Sequence, residues 1–188
     1  MRGRLELMKD DNAKAKLRHQ WVPYQKISVH LKRSVMAAED STFLEHRGFD
    51  WDGIKVAWDR NQREGGIVAG GSTISQQLAK NLFFSGKRTW WRKAQEAVVT
   101  VMLETLMSKQ RILEIYLNVI EWGDGVFGAE AAARHHYGVA AASLAPEQAA
   151  RLAAMVPSPR QYRAGRETPY LARRAGVILA HMNAVQVP

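Results

Sequence analysis

Apolar residues recur along this chain mainly at helical spacing. Leu31, Val35 and Ala38 fall at i, i+4, i+7; Ile112, Ile115, Tyr116 and Val119 fall at i, i+3, i+4, i+7; and Val177, Met182 and Val185 lie within a final helical pattern. Each set lines one face of a helix with about 3.6 residues per turn. Strict alternation, the mark of a half-buried strand, is scarce.

Boundary signals divide this pattern into about seven or eight helices. Ser28 is placed to cap the first, which ends near Glu39 to Ser41, and Asp50 or Asp52 caps a second that fades before Gly65-Gly66, since a short polar side chain satisfies the free N–H groups of a first turn. Thr73 and Gln76 have capping-box spacing and open a helix expected to close near Gly86. Thr89 caps a long helix to about Met107, and Ser108 caps another to about Asn118. Later helices are expected over Gly128 to Tyr137, Pro146 to Val156 and Pro169 to Val185, the last two with Pro at the first turn. No internal repeat appears, which excludes a solenoid. The expected fold class is all-α, with one domain over residues 21–188 after a charged segment, residues 1–20.

Charge narrows the partners. The 188 residues carry 27 Lys and Arg against 18 Asp and Glu, a formal net charge of +9, which favours nucleic acid, an anionic lipid surface or a phosphorylated substrate. With no cysteine, disulfides and thiolate chemistry are excluded. No run approaches the roughly 20 apolar residues of a membrane span, and Met1 to Arg18 has no apolar signal core, so the chain as it stands reads as soluble.

Three segments carry candidate chemistry. In Glu39-Asp40-Ser41-Thr42-Phe43-Leu44-Glu45-His46-Arg47-Gly48-Phe49-Asp50, Glu39 and Asp40 sit at the expected end of an apolar-faced helix. They read either as a solvated pair between helices or as a base whose pKa is raised by the helix dipole and by the second negative charge. His46 reads as a structural partner of a neighbouring carboxylate. The glycine-rich stretch Gly65 to Gly71 leads into Ser72-Thr73-Ile74-Ser75-Gln76-Gln77-Leu78-Ala79-Lys80-Asn81. Here Gln76 and Lys80 share one helical face at i, i+4, while Ile74, Leu78 and Leu82 take another. Such a segment is either an ordinary amphipathic helix after a surface loop or an anion site. In Arg88-Thr89-Trp90-Trp91-Arg92-Lys93-Ala94-Gln95-Glu96, three cations within about two turns either cradle a diphosphate or form surface ion pairs. No histidine spacing fits a zinc site.

Taken in order, these segments resemble the glycosyltransferase family that polymerises lipid II, also found at the front of bifunctional penicillin-binding proteins. Its pattern Glu-Asp-x-x-Phe-x-x-His-x-Gly-x-Asp is matched at Glu39, Asp40, Phe43, His46, Gly48 and Asp50, and Gly-Gly-Ser-Thr-Ile-x-Gln-Gln-x-x-Lys-Asn at Gly70 to Asn81. Arg-Lys-x-x-Glu is matched at Arg92, Lys93 and Glu96, and the fourth and fifth motifs at Arg111 to Asn118 and Ala153 to Pro159. The similarity begins near Trp21 and looks like the monofunctional form.

The resemblance implies a lysozyme-like fold, with a large helical lobe, a small membrane-facing lobe and a cleft covered by a mobile loop at Gly65 to Gly71. It implies inverting transfer of a lipid-linked glycan, with Glu39 as general base and Glu96 as the second essential glutamate. Asp40, Ser72, Gln76, Gln77, Lys80, Asn81, Arg88, Arg92 and Lys93 are implied to bind sugar or diphosphate oxygens. No cofactor is required by this chemistry, although a divalent ion, Mg or Mn, near Glu96 is allowed for. The implied partners are lipid II, the growing lipid-linked glycan, an anionic membrane surface and other cell-wall synthesis proteins, with no nucleic acid. The implied location is the periplasmic face of the bacterial inner membrane, the chain starting after an anchor helix. Two other readings are open: a lysozyme-like hydrolase or lytic transglycosylase, which shares a catalytic glutamate, and a basic helical nucleic-acid-binding module.

Overall fold

A computed structural model describes residues 17–66, 70–84, 89–161 and 168–188. Two sequence expectations, the middle of the glycine-rich loop and Arg88, fall outside these residues, as does most of the charged N-terminal segment. Among the described residues there are eight α-helices: α1 (Val29–Glu39), α2 (Trp51–Glu64), α3 (Ile74–Phe83), α4 (Trp90–Leu106), α5 (Lys109–Val119), α6 (Ala129–Tyr137), α7 (Pro146–Met155) and α8 (Pro169–His181). The all-α expectation holds, and the caps fall where the polar residues place them. Ser28, Asp50, Thr73, Thr89, Ser108 and Thr168 each accept a backbone N–H of the turn they open. Thr73 and Gln76 form a reciprocal capping box, which satisfies two otherwise orphaned donors.

A small sheet was not foreseen. β1 (Arg18–His19) runs parallel to β3 (Val126–Phe127), and β2 (Glu121–Gly123) runs antiparallel to it, in the order β1-β3-β2. Strands of two and three residues are too short to show a period of two. Arg18 and His19, within the stretch expected to precede the domain, are thus part of this sheet.

The helices pack as two groups. In one, α7 presents the buried residues Ala149, Ala150, Ala153 and Ala154, whose small side chains let α1 and α8 approach closely. In the other, α3 packs on α4 and α5. Leu31, Val35, Phe43, Ile74, Leu78, Ile112, Leu113, Tyr116, Leu117 and Leu152 form a continuous core through both groups. The fourth motif, on α5, is largely structural. Asn118 is fully buried; its Oδ1 accepts the Val22 N–H at 2.9 Å and its Nδ2 donates to the Val22 carbonyl at 3.0 Å, so one side chain does the work of a strand partner. Glu114 accepts the Tyr24 N–H and pairs with Arg111. By contrast, α2 buries only Ala57.

Gly128 precedes α6 with φ +83° and ψ 155°, a region open essentially to glycine alone, and a Cβ there would lie 2.7 Å from the Asn118 carbonyl oxygen. Gly128→Ala is therefore expected to lose about 2 kcal/mol or more of stability, read as a lower urea midpoint with an unchanged m-value.

Candidate active site

The residues of the first motif separate by task. Phe43 is fully buried, with the Lys109 ammonium 4.4 Å from its ring centroid. Asp50 caps α2, its Oδ1 accepting the Gly53 N–H at 2.8 Å and its Oδ2 the Thr42 hydroxyl at 3.0 Å; these bonds favour its charged form and hold its pKa below the usual value. Gly48, at φ +88°, lets the loop lie against α4 where a Cβ would come within 2.8 Å of the Thr100 methyl carbon.

Asp40 is spent on bracing. Its Oδ1 meets the His46 ring at 2.9 Å and its Oδ2 accepts the Ile74 N–H at 2.9 Å, in the first turn of α3, where the helix dipole favours a negative charge. Thr73 donates its hydroxyl to the Gly48 carbonyl at 2.7 Å, a second tie between the first and second motifs. His46 has the structural role its sequence context indicates.

Glu39, Asp40 and Asp50 all line one cleft, and of the three Glu39 alone has no backbone N–H bond among the described residues. Glu39 ends α1, its side chain is 10% exposed, and it lines a cavity of about 190 Å³ with Ala38, Asp50, Gly70, Gly71 and Ser72. Gln77 donates Nε2 to its Oε2 at 2.9 Å, and Arg174 of α8 lies 3.5 Å from its Oε1. Its pKa is raised, as the sequence indicates, but burial is the main cause; Gln77, Arg174 and Lys80 pull it back down, and the Asp40 charge makes the smallest contribution. Such a carboxylate is a stronger base than a solvated one.

A second cavity, of about 400 Å³, is lined by Ser72, Lys80, Thr89, Trp90, Arg92, Lys93 and Glu96. Glu96 is buried and holds two cations, with Arg92 Nε at 3.1 Å and Lys93 Nζ at 3.5 Å. Ser72 lines both cavities, so the carboxylate cleft and the cationic one adjoin.

The other expected residues fall in different places. Gln76 is buried and its Oε1 accepts the Thr73 N–H, so the capping box occupies an atom that helical-wheel reasoning leaves to a ligand. Asn81 is exposed on α3 and does not line either cavity. A divalent ion needs several hard oxygen donors, yet among the described residues Glu96 is the only carboxylate lining the cationic cavity, and two cations already face it. Among the described residues no group of three potential metal-ligating side chains occurs. The donor set does not fit an ion held by protein ligands alone.

Sequence reasoning missed Arg174. The available signal was its position: Leu171, Ala175 and Ile178 are the buried residues of α8, and Arg174 shares their face, where a cation requires a partner. Tyr116, read as part of an apolar face and of the fourth motif but given no role at the site, donates its hydroxyl to Gln77 Oε1 at 2.8 Å.

Comparison with known proteins places the chain among enzymes. A family profile described as Transglycosylase matches residues 7–183. A protein of Nitrosospira multiformis described as a biosynthetic peptidoglycan transglycosylase is 61% identical over 188 residues, all of this chain and 82% of the relative. Relatives with the same description are 63% identical in Methylobacillus flagellatus, over 100% of this chain and 82% of the relative, and 58% identical in Dechloromonas aromatica, over 98% and 80%.

Removing the brace has a calculable effect. Asp40→Ala leaves two buried donors without an acceptor and is expected to cost about 3 kcal/mol, against about 1 kcal/mol for the exposed-side cap lost in Asp50→Ala. Equal losses in parallel urea titrations would contradict the bracing role.

Proposed function

The chain belongs to the transglycosylase family, and from that footing we propose that it is a peptidoglycan glycosyltransferase that polymerises lipid II into glycan strands. The observation that carries the reading is the pair of adjoining clefts, one holding a buried carboxylate and the other three cations, meeting at Ser72. In this reading the acceptor sugar's 4-hydroxyl lies against Glu39. Its oxygen attacks the donor's anomeric carbon with inversion as Glu39 takes the proton, and the bond to the undecaprenyl diphosphate breaks. That leaving group is a weak base, so it needs its charge met more than it needs a proton. Lys80, Arg92 and Lys93 meet it, joined by Arg88, which the resemblance places with Lys80. Glu96 aligns Arg92 and Lys93, and a divalent ion in this cleft would draw most of its ligands from the diphosphate itself.

A hydrolase or lytic transglycosylase has no use for the cationic cleft, and a nucleic-acid module has none for the buried Glu39. Purified protein supplied with lipid II in detergent is expected to give long glycan strands; release of soluble fragments from finished peptidoglycan, with no polymer, would favour the lytic reading. Glu39→Gln is expected to lower polymerisation by about 10²- to 10⁴-fold, and Lys80→Ala by roughly 10- to 100-fold through loss of a charge-assisted contact. Wild-type rates in Glu39→Gln would remove the base assignment.

The substrate class also assigns a place of work, the periplasmic face of the inner membrane. No helix of the described residues is long and apolar enough to cross a membrane. Support for surface docking comes from exposed apolar side chains: Trp51, Val56 and Trp58 on α2, Leu82 and Phe83 at the end of α3, and Trp90, Trp91, Val98, Val101, Met102 and Leu106 on α4. Exposed apolar residues in this number favour an interaction surface, and the net charge of +9 attracts the protein to anionic lipid. With Trp90 93% and Trp91 74% exposed, the Trp90→Ser, Trp91→Ser double variant is expected to weaken partition onto anionic vesicles by roughly tenfold or more in a flotation assay. Unchanged flotation would place the docking surface elsewhere.

A further inference from the structure

We propose that Tyr116 is a positioning residue for Glu39, acting through the side-chain amide of Gln77; the proposal rests on the reading of Glu39 as the base. Tyr116 is fully buried on α5, Gln77 stands on α3 and Glu39 ends α1. The hydroxyl of Tyr116 donates to Gln77 Oε1 at 2.8 Å, and Gln77 Nε2 donates to Glu39 Oε2 at 2.9 Å. A primary amide has a donor end and an acceptor end, exchanged by a half-turn about one bond. In the observed orientation Glu39 receives an N–H; in the flipped one a carbonyl oxygen would face its carboxylate. The carboxylate, which only accepts, favours the first, and Tyr116 reinforces it by donating its proton to Oε1. The Ser72 carbonyl, 3.4 Å from Gln77 Nε2, adds a weaker bias of the same sign. With Oε2 engaged by Gln77 and Oε1 facing Arg174 at 3.5 Å, the Glu39 carboxylate is held from two sides, and Tyr116 supports one of them without touching the substrate.

The phenol keeps its proton throughout the working range, because burial and the neighbouring charges of Glu39 and Asp40 push its pKa well above the usual value. The other charged groups acting on Glu39 are Arg174 from α8, Lys80 from α3 and Asp40 beside it. The bond from Gln77 favours the ionised form of Glu39, so losing its orientation raises the pH at which the base becomes available.

The test is the pH dependence of lipid II polymerisation. Tyr116→Phe removes one oxygen and is expected to move the acid limb of kcat/KM to higher pH by roughly half to one unit, a three- to tenfold loss on the limb that recovers as pH rises. Gln77→Leu is expected to shift the limb the same way, and Tyr116→Phe added to Gln77→Leu to shift it no further. A uniform loss at every pH, or additive shifts in the double variant, would overturn the proposal. 3-Fluorotyrosine at position 116 keeps the ring and strengthens the donor, so the limb should move to lower pH; a limb at or above the wild-type position counts against the relay even if Tyr116→Phe does not fold. The two readings fail separately: wild-type polymerisation by Glu39→Gln removes the base, whereas an inactive Glu39→Gln with an unmoved limb in Tyr116→Phe removes only the role of Tyr116.

Discussion

The Asp40 carboxylate joins two parts of the chain that the rest of the site is built on. One oxygen holds His46, and so the loop after α1; the other holds the first turn of α3. Because Glu39 precedes Asp40 directly and Lys80 lies on α3, this one side chain sets Glu39 and the cationic cleft in register. The position stabilises itself. A helix N-terminus offers free N–H groups and a positive pole, and Asp40 supplies the charge they favour. The remaining ties, from Thr73 to Gly48 and from Ser75 through Glu104 to Lys109, close the frame around it.

Within that frame, opposing effects act on Glu39. Burial removes water and disfavours its charge, whereas Gln77, Arg174 and Lys80 restore part of what water provided. A buried carboxylate with no such partners would remain protonated, and one with stronger partners would be a poor base. Neighbours drawn from α3 and α8 thus oppose the effect of burial without reversing it.

Much of this was legible in the sequence because it is local. Caps act over three residues, so Ser28, Asp50, Thr73, Thr89 and Ser108 announced their helices. Likewise the bond between His46 and Asp40 spans six residues of one loop. What was not legible is non-local. Burial of Glu39, rather than the dipole expected from its place at a helix end, dominates its pKa, and burial depends on how α3 and α8 close over α1. The contacts of Arg174 and Tyr116 with this site cross long stretches of chain. Gln76 shows two local rules in conflict: its place on a polar face favoured a ligand, its spacing from Thr73 favoured a cap, and the cap took its oxygen. The sheet escaped notice because Arg18–His19 and Val126–Phe127 are shorter than one repeat of any readable pattern.

The thin packing of α2 has a bearing on where such an enzyme is well ordered. The helix hides only Ala57 from solvent, yet Asp50 and Gly53 at its start form one wall of the carboxylate cleft. Elements with so little buried apolar area open at low free-energy cost, well below that of global unfolding. Its amides should therefore exchange with solvent early, while those of α5 persist. Any surface that covered Trp51 and Trp58, seven residues apart on one face of the helix, would supply the burial that the protein itself withholds and would steady that wall of the cleft.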